Sequence, residues 1–330
     1  MKISIRERLK PFSHSPGAAC LIPGTCWTIE AFPALIRLGK KYEIHLHLTG
    51  PVVDFTLEQD LEKNCVWVFG KAKEGFYRLR FQGMSGGIEM TALNAPLGIL
   101  ANGKPLRSKE TILFEDEIDF YLPKNWERLS LGLSKAQDWD LVLRRFDLQE
   151  ILPVLFGLGQ KLPLIEPQPR TRMGMLLEEG NFESFCRAAF SKILVPRLID
   201  DEHQGLVLPE AAAGDPCFLL QEAVRRIRSL FFKQENLRIS LLPSSSFPAG
   251  RMTCIQAKGA GEFDLEWASR SLRRAILRAA CSSEMILELP KGIRSCRVRT
   301  ALSQKGSRYL DGAPFGIESG KTYFFDRFHR

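Results

Sequence analysis

The sequence predicts an α+β protein with an N-terminal antiparallel β-sandwich, a short helical middle region and a C-terminal antiparallel β-domain. Two observations predict this order. Short apolar runs separated by turn residues fill the beginning and the end of the chain, as is typical of strands joined by hairpins. Between them, apolar residues recur at helical spacing. We expect the domains to be residues 1–125, 126–236 and 237–330.

The N-terminal strands alternate between apolar and polar residues, which is the period of a half-buried strand. In YEIHLHL, His45 and His47 share one face, a spacing that two zinc ligands can use. Because no third ligand is evident, we expect an outward polar face and no metal site there. Residues 83–87, GMSGG, lack the Lys-Ser/Thr of a phosphate-binding loop and predict a turn. Asn102-Gly103 predicts a hairpin turn.

The segment Lys135–Glu150 predicts the first of three helices, which we expect to end by Pro153 because proline disrupts the helical hydrogen-bond ladder. It is also the densest mixture of carboxylates, guanidinium groups and an aromatic ring in the chain. Such groups hold sugars, although helix surfaces are built in the same way, and an ion-paired helix between two β-domains is the default interpretation. The candidate ligand-binding residues are Asp138, Trp139, Asp140 and Arg145.

Two further helices are expected in the middle region. Asn181 can cap the second helix, and Pro196 stops it. Asp215 can cap the third helix, with Pro216 at its first position. Between the second and third helices, the consecutive residues DDEH at 200–203 could bind a divalent metal. Consecutive loop residues rarely point at one centre, so a solvated turn is the favoured interpretation.

The chain of 330 residues is 45% hydrophobic, which is enough for a sizeable core, and carries a net charge of +8. A basic face could bind phosphate or nucleic acid. No zinc finger, RNA-recognition signature or arginine-rich arm accompanies the charge, so we expect a solvated, ion-paired surface, and nucleic acid is not a favoured partner. The basic residues concentrate in the second half: Arg225, Arg226, Arg228, Arg273, Arg274, Arg278, Arg294, Arg297 and Arg299.

Location and redox state are inferred from composition. No apolar run approaches the roughly 20 residues of a membrane-spanning helix, and the opening MKISIRERLKPF lacks the apolar core of a signal peptide. We therefore expect a cytoplasmic protein without a membrane partner. The eight cysteines form no C-x-x-C pair, so we expect most of them to be small buried residues. No cofactor is indicated.

The segment 237–267, LRISLLPSSSFPAGRMTCIQAKGAGEFDLEW, joins I-x-L-L-P, a P-x-G turn and a glycine-rich stretch to an alternating strand that ends in Trp267. This order resembles the end of the catalytic barrel and the start of the C-terminal β-domain in glycoside hydrolase family 95, the α-L-fucosidase-like enzymes. The resemblance covers residues 216–326. It also implies a β-hairpin at SLRRAILRAA, residues 271–280, although apolar residues recur there at helical spacing. The Gly and Pro turns on both sides favour the strand.

The resemblance implies a missing or heavily reduced catalytic barrel. About twelve helices would need roughly 180 residues, more than the stretch from Trp126 to Asn236 provides. The family's catalytic base is an Asp in D-G-N-F-G; here Asp215 has no Asn-Phe-Gly beside it and fits a helix cap better. Inverting glycosidases need a second carboxyl group about 6.5 to 9.5 Å away, and Glu210 is nearest in sequence. Asp215 and Glu210 are therefore only weak catalytic candidates.

Three functional hypotheses remain open. The leading one is a carbohydrate-associated protein, glycoside-hydrolase-like in its C-terminal part, that binds glycans after losing the hydrolytic barrel. The second is an active glycosidase with a reduced helical domain. The third is a structural or protein-interaction module with a basic face, whose partner would be a protein or another acidic molecule. The sequence does not decide whether the protein is an enzyme.

Overall fold

The computed structural model describes residues 2–133, 135–164, 190–191, 195–196, 216–244 and 246–330. The protein is α+β and mostly antiparallel β-sheet, as predicted. Contacts divide the chain into two compact units. The sandwich unit comprises Arg8–Pro123 and Lys135–Glu222, and the C-terminal unit comprises Met1–Glu7, Lys124–Ser134 and Ala223–Arg330.

The larger part of the sandwich unit is built from twelve strands: β1 Phe12–Ser13, β2 Ala18–Leu21, β3 Thr28–Phe32, β4 Leu35–Leu38, β5 Tyr42–His47, β6 Val53–Asp60, β7 Cys65–Ala72, β8 Gly75–Met84, β9 Gly87–Asn94, β10 Leu100–Ala101, β11 Lys104–Pro105 and β12 Thr111–Glu115. They form two six-stranded antiparallel sheets, in the orders β1-β6-β7-β8-β9-β12 and β11-β10-β5-β4-β3-β2. The Gln59 side chain links the sheets by donating to the Leu21 carbonyl at 2.7 Å. The predicted sandwich is confirmed.

Local sequence signals set the turns and faces of the sandwich. Asn102 and Gly103 have φ of +48° and +78° and make a two-residue turn between β10 and β11, as predicted. GMSGG turns from β8 to β9, also as predicted. In β5 the apolar side chains Ile44 and Leu46 are buried, whereas His45 and His47 are exposed, which confirms the alternation read from the sequence.

Three helices are described: α1 Trp139–Arg145, α2 Leu148–Gly159 and α3 Pro216–Phe231. The prediction of a single helix that ends by Pro153 is therefore wrong. The chain breaks at Phe146, whose φ is +49°, and the Asp147 side chain starts α2 by accepting from the Gln149 N–H at 2.9 Å. Pro153 lies inside α2. An interior proline costs about 3 kcal/mol. Burial of a large apolar side chain stabilises by about 1.5 to 3 kcal/mol, and it outweighs this cost because every residue of α2 from Ile151 to Gly159 is buried.

Helix α3 follows the sequence pattern: Leu220, Ala223, Ile227 and Phe231 form its buried stripe. The helix expected after Asn181 lies mostly outside the described residues. Where the chain is described again, Phe190–Ser191 (β14) pairs with Val195–Pro196 (β15), so that helix does not run through this pair. Within the described part of the chain, no helix combines the length and the apolar content needed to cross a bilayer.

The C-terminal unit contains eleven strands: β13 Arg128–Ser130, β16 Phe232–Glu235, β17 Arg238–Leu241, β18 Ala249–Ala257, β19 Gly261–Ala268, β20 Ser271–Ala279, β21 Ser283–Glu288, β22 Ser295–Arg299, β23 Ser307–Leu310, β24 Pro314–Ile317 and β25 Thr322–His329. They form a seven-stranded sheet, β13-β18-β19-β20-β25-β22-β23, and a four-stranded sheet, β16-β17-β21-β24. All neighbours are antiparallel except β17 and β21. The predicted strand at 271–280 is confirmed as β20.

The seven-stranded sheet has one apolar and one charged face. In β19, Phe263, Leu265 and Trp267 are buried, and Phe231 of α3 stacks on Trp267 with ring centroids 5.0 Å apart. Glu262, Asp264 and Glu266 alternate with these residues and lie on the opposite face, where arginines of β18 and β20 pair with them: Arg251, Arg274 and Arg278.

Candidate functional site

The four ligand-binding candidates on α1 all have structural contacts. The Asp138 side chain caps the helix by accepting from the Leu141 N–H at 3.2 Å. Asp140 accepts from the Ser13 hydroxyl at 2.7 Å. Arg145 makes two hydrogen bonds of 3.0 Å to Glu150. Trp139 is 1% exposed, so its ring offers no free face to a sugar. The catalytic candidates Asp215 and Glu210 lie outside the described residues.

A polar pocket of about 520 Å³ lies at the β13, β18 and β19 end of the seven-stranded sheet, entirely within the C-terminal unit. Its size is that of an ordinary ligand site. We call it the Trp267 pocket; besides small residues, its lining comprises two acidic residues, two arginines, a serine and a tryptophan: Glu7, Glu266, Arg251, Arg273, Ser130 and Trp267.

Gly250 lines this pocket and leaves room for the buried indole of Trp267. The two residues are directly paired between β18 and β19. A Cβ at position 250 would overlap the Cζ2 atom of Trp267 and lie 2.6 Å from the Ser130 carbonyl oxygen. Trp267 is 1% exposed, and its Nε1 has no hydrogen-bond partner among the described residues. The indole stacks on Phe231 on the apolar face of the sheet, so, like the ring of Trp139, it is buried and offers no free face to a ligand.

The two carboxylates of the Trp267 pocket are held in place. Glu266 accepts from Arg251 Nε at 3.0 Å and, with its other oxygen, from Arg274. Glu7 accepts from the Ser130 hydroxyl through one oxygen and from the Arg6 N–H through the other, both at 3.1 Å. Because every carboxylate oxygen already accepts a hydrogen bond, these groups suit fixed recognition of hydroxyls better than transfer of a proton.

Arg273 is the free cation of the pocket. It is exposed, and within the described residues its side chain makes neither a hydrogen bond nor an ion pair. A guanidinium group carries five N–H donors in a planar fork. Arg273 therefore offers donors to an incoming ligand that Arg251, bound to Glu266, does not.

A second cluster, which the sequence did not single out, joins Cys254, Glu262 and Asp264. Their ligating atoms lie within 4.8 Å of one another. Arg278 donates to Glu262 at 2.7 Å and to Asp264 at 2.6 Å. Burial, followed by the charges of Glu262 and Asp264, raises the pKa of the Cys254 thiol. The guanidinium group thus supplies the positive charge that a metal ion would bring, and we interpret the cluster as an ion-pair network.

The described cysteines are all free thiols. Cys20, Cys65, Cys217 and Cys296 are buried, in line with their predicted role as small buried residues, and Cys186 lies outside the described part. Burial raises the pKa of Cys65 and of Cys296 to about 12. These two thiols are therefore uncharged and weakly nucleophilic at neutral pH.

Comparison of the chain with models of known protein families gives no match, and comparison with curated proteins gives none. The resemblance of residues 216–326 to glycoside hydrolase family 95 therefore stays a prediction. Gly250 and Trp267 both belong to the segment that carries this resemblance. Their direct pairing across β18 and β19 is a matter of strand register, which the sequence signal alone did not give.

Proposed function

We propose that the protein binds a glycan in the Trp267 pocket. The observation that carries this proposal is the meeting, in one cavity of about 520 Å³, of two acidic residues whose carboxylates are held by hydrogen bonds with Arg273, whose guanidinium group is unpaired among the described residues. Sugars present hydroxyl groups that both donate and accept hydrogen bonds. Fixed carboxylates and guanidinium forks are suited to bind them.

Each group has a role that follows from its contacts. Glu266, held by Arg251 and Arg274, accepts from sugar hydroxyls without having to be ordered on binding, which lowers the entropic cost. Arg273 donates. The resemblance of the same segment to a family of carbohydrate enzymes supports this choice of ligand.

The proposal is tested by titrating the purified protein with fucosyl and galactosyl oligosaccharides in a calorimeter and by following thermal unfolding. A ligand that prefers the folded state raises the midpoint. Arg273→Gln removes the free donor without breaking a described contact, and we expect binding to weaken about tenfold or more, since a charged hydrogen bond contributes about 1.5 to 3 kcal/mol.

Arg270→Gln is the matched control. Arg270 is exposed, lies three residues away and does not line the pocket, so its loss should leave the affinity unchanged. Equal weakening in both variants would show that only general charge matters. A flat response to the whole panel at millimolar sugar would reject glycan binding.

An active glycosidase is the second candidate, because Glu7 and Glu266 line the same pocket. The full hydrogen bonding of both carboxylates counts against proton transfer. Hydrolysis of aryl glycosides of the sugars that bind decides between the two candidates. Turnover that Glu7→Gln or Glu266→Gln abolishes, with binding retained, would assign hydrolysis; binding without turnover would assign a glycan-binding protein.

A further inference from the structure

A second cavity, of about 470 Å³, lies on β22, β23, β25 and the loop before β23, within the C-terminal unit. We call it the cationic pocket. Its polar lining is basic apart from one serine, and no carboxylate is among its described lining residues. The residues that give it this character are Arg297, Lys305, Ser307, Arg308, Arg327 and His329.

Three of these cations have no counter-charge among the described residues. Arg297 is committed to Asp326, to which it donates at 2.7 Å and 2.9 Å. Lys305, Arg308 and Arg327 are exposed, and within the described part of the chain their side chains form no ion pair or hydrogen bond. Elsewhere in the sheet most arginines pair with carboxylates, Arg273 being an exception: Arg251, Arg274, Arg278 and Arg299.

The backbone around the cationic pocket is specialised. Arg327 has a φ of +49°, in the left-handed region that only a few per cent of residues other than glycine adopt. It lies at a bulge where the β22–β25 register shifts between Ser295 and Arg297. Such strain persists where surrounding structure enforces it, and it concentrates at ligand sites.

Gly306 brings the loop before β23 close to β22. Its φ is +76°, and a Cβ there would overlap the Val298 carbonyl oxygen and lie 3.1 Å from the Arg297 side chain. Glycine is therefore required for this close approach. The result is that its neighbours Lys305 and Ser307 line the same cavity as Arg297.

We propose that the cationic pocket binds a phosphorylated small molecule, with Lys305, Arg308 and Arg327 holding its phosphate groups. Guanidinium forks match phosphate oxygens, and Lys adds a point charge. Three unpaired positive charges suit a ligand with two phosphate groups. The only ring among the described lining residues is the imidazole of His329. The pocket thus lacks the aromatic platform on which single-stranded nucleic acids stack, which favours a small phosphate ester over a polynucleotide.

Calorimetric titration of the full chain with inorganic pyrophosphate, at constant ionic strength, tests this proposal. We expect saturable binding at one site. Arg327→Gly removes one cation while keeping a residue that tolerates positive φ, so the fold should survive. We expect it, and Arg308→Gln, to weaken binding about tenfold or more, as for loss of a charged hydrogen bond.

Arg270→Gly is the matched control. Arg270 is also an exposed arginine with positive φ, +56°, in the same unit, and it does not line the cationic pocket. Wild-type affinity in this variant, with the loss confined to the pocket variants, supports the proposal. Equal affinity in Arg327→Gly and wild type would overturn it.

Two further titrations distinguish a phosphate site from a general anion site and from a nucleic-acid-binding surface. Sulfate that competes with pyrophosphate at equal concentration would overturn the assignment to phosphate and indicate a general anion site. An oligonucleotide whose affinity grows with length and that pyrophosphate does not displace would instead assign the surface to nucleic acid. Glycan binding to the Trp267 pocket should be unchanged in Arg327→Gly, so the two proposals stand or fall separately.

Discussion

At the residue scale, the Trp267 pocket depends on the absence of a side chain at Gly250. Gly250 faces the Trp267 ring and the Ser130 carbonyl so closely that no Cβ fits. The overlap involves a rigid ring and a backbone oxygen, neither of which can move aside as the end of a flexible side chain can. The small size of this residue therefore maintains both the packing of the sheet and the shape of the cavity.

We expect Gly250→Ala to lower the free energy of unfolding by about 1 to 3 kcal/mol, the usual cost of overpacking, and to abolish binding in the Trp267 pocket. Urea unfolding measures the first effect. Gly316→Ala in β24 is the control, because a Cβ there meets nothing within 4 Å and its φ is not in the left-handed region. It should be neutral or slightly stabilising. A wild-type midpoint for Gly250→Ala would contradict this packing constraint.

Asp326 forms ion pairs with two arginines, Arg297 and Arg299. Hydrogen bonds from Arg297, together with the charge of Arg299, hold the pKa of this carboxyl below its usual value. An acid whose pKa is lower in the folded state contributes stability above its unfolded pKa, near 3.9, and that contribution disappears as the pH falls through the folded pKa.

Asp326→Asn should therefore lower the unfolding free energy by about 1.5 to 3 kcal/mol at about pH 7, and the difference from wild type should shrink as the pH falls toward about 2. Urea unfolding across this pH range measures it. Glu284→Gln, at an exposed carboxylate with no ion pair in the described part of the chain, serves as the control. A difference that does not depend on pH would exclude the ion pair as its cause.

At the element scale, Tyr309 links the two sheets of the C-terminal unit through hydrogen bonds. The buried Tyr309 hydroxyl, in β23 of the seven-stranded sheet, accepts from the Leu287 N–H in β21 of the four-stranded sheet at 3.0 Å. It can donate its single proton to the Ala313 carbonyl at 2.6 Å or the Leu287 carbonyl at 2.9 Å. The Tyr309 hydroxyl thus supplies, between β23 and β21, hydrogen bonds to the backbone of the kind that neighbouring strands exchange within one sheet.

We expect Tyr309→Phe to destabilise the protein by about 1 to 3 kcal/mol, because it leaves the buried Leu287 N–H without an acceptor. Hydrogen exchange of the Leu287 amide should accelerate more than that of amides inside β19 and β20. Uniform acceleration throughout the unit would show instead that the variant only lowers global stability.

At the scale of the whole molecule, the net charge is +8, and the basic side chains are unevenly paired with carboxylates. The outward face of the seven-stranded sheet pairs most of its arginines with carboxylates, as the sequence led us to expect, whereas the cationic pocket leaves three cations unpaired within the described chain. The structure thus offers one neutralised polar cavity, the Trp267 pocket with its free Arg273, and one strongly basic cavity. These differ in the kind of ligand that they suit.

Salt should separate the two cavities. Raising NaCl from about 50 mM to about 500 mM shortens the screening length by about threefold, so we expect pyrophosphate affinity to fall by about tenfold while the affinity for a neutral oligosaccharide changes little. Parallel titrations measure both. Equal salt dependence of the two ligands would contradict the assignment of different ligand classes.

Alternation and turn chemistry predicted most of the fold. The period of two in YEIHLHL placed His45 and His47 outward, and Asn102-Gly103 gave its hairpin, because strand faces and tight turns depend on neighbouring residues. Local signals failed at Pro153. There the cost of a lost hydrogen bond is offset by burial of α2, a tertiary effect. Local signals failed also on α1. There the candidate ligand-binding residues cap the helix, bind other side chains of the protein or lie in the core.

The sequence by itself determined the α+β class, the order of strands and helices, and the basic charge, since these follow from periodicity and composition along the chain. Only the tertiary structure decided where ligands could bind. Gly250 meets Trp267 through strand register. Lys305, Arg308 and Arg327 share a cavity because β23 and β25 flank β22. Such neighbours are distant in sequence, and packing alone brings them together.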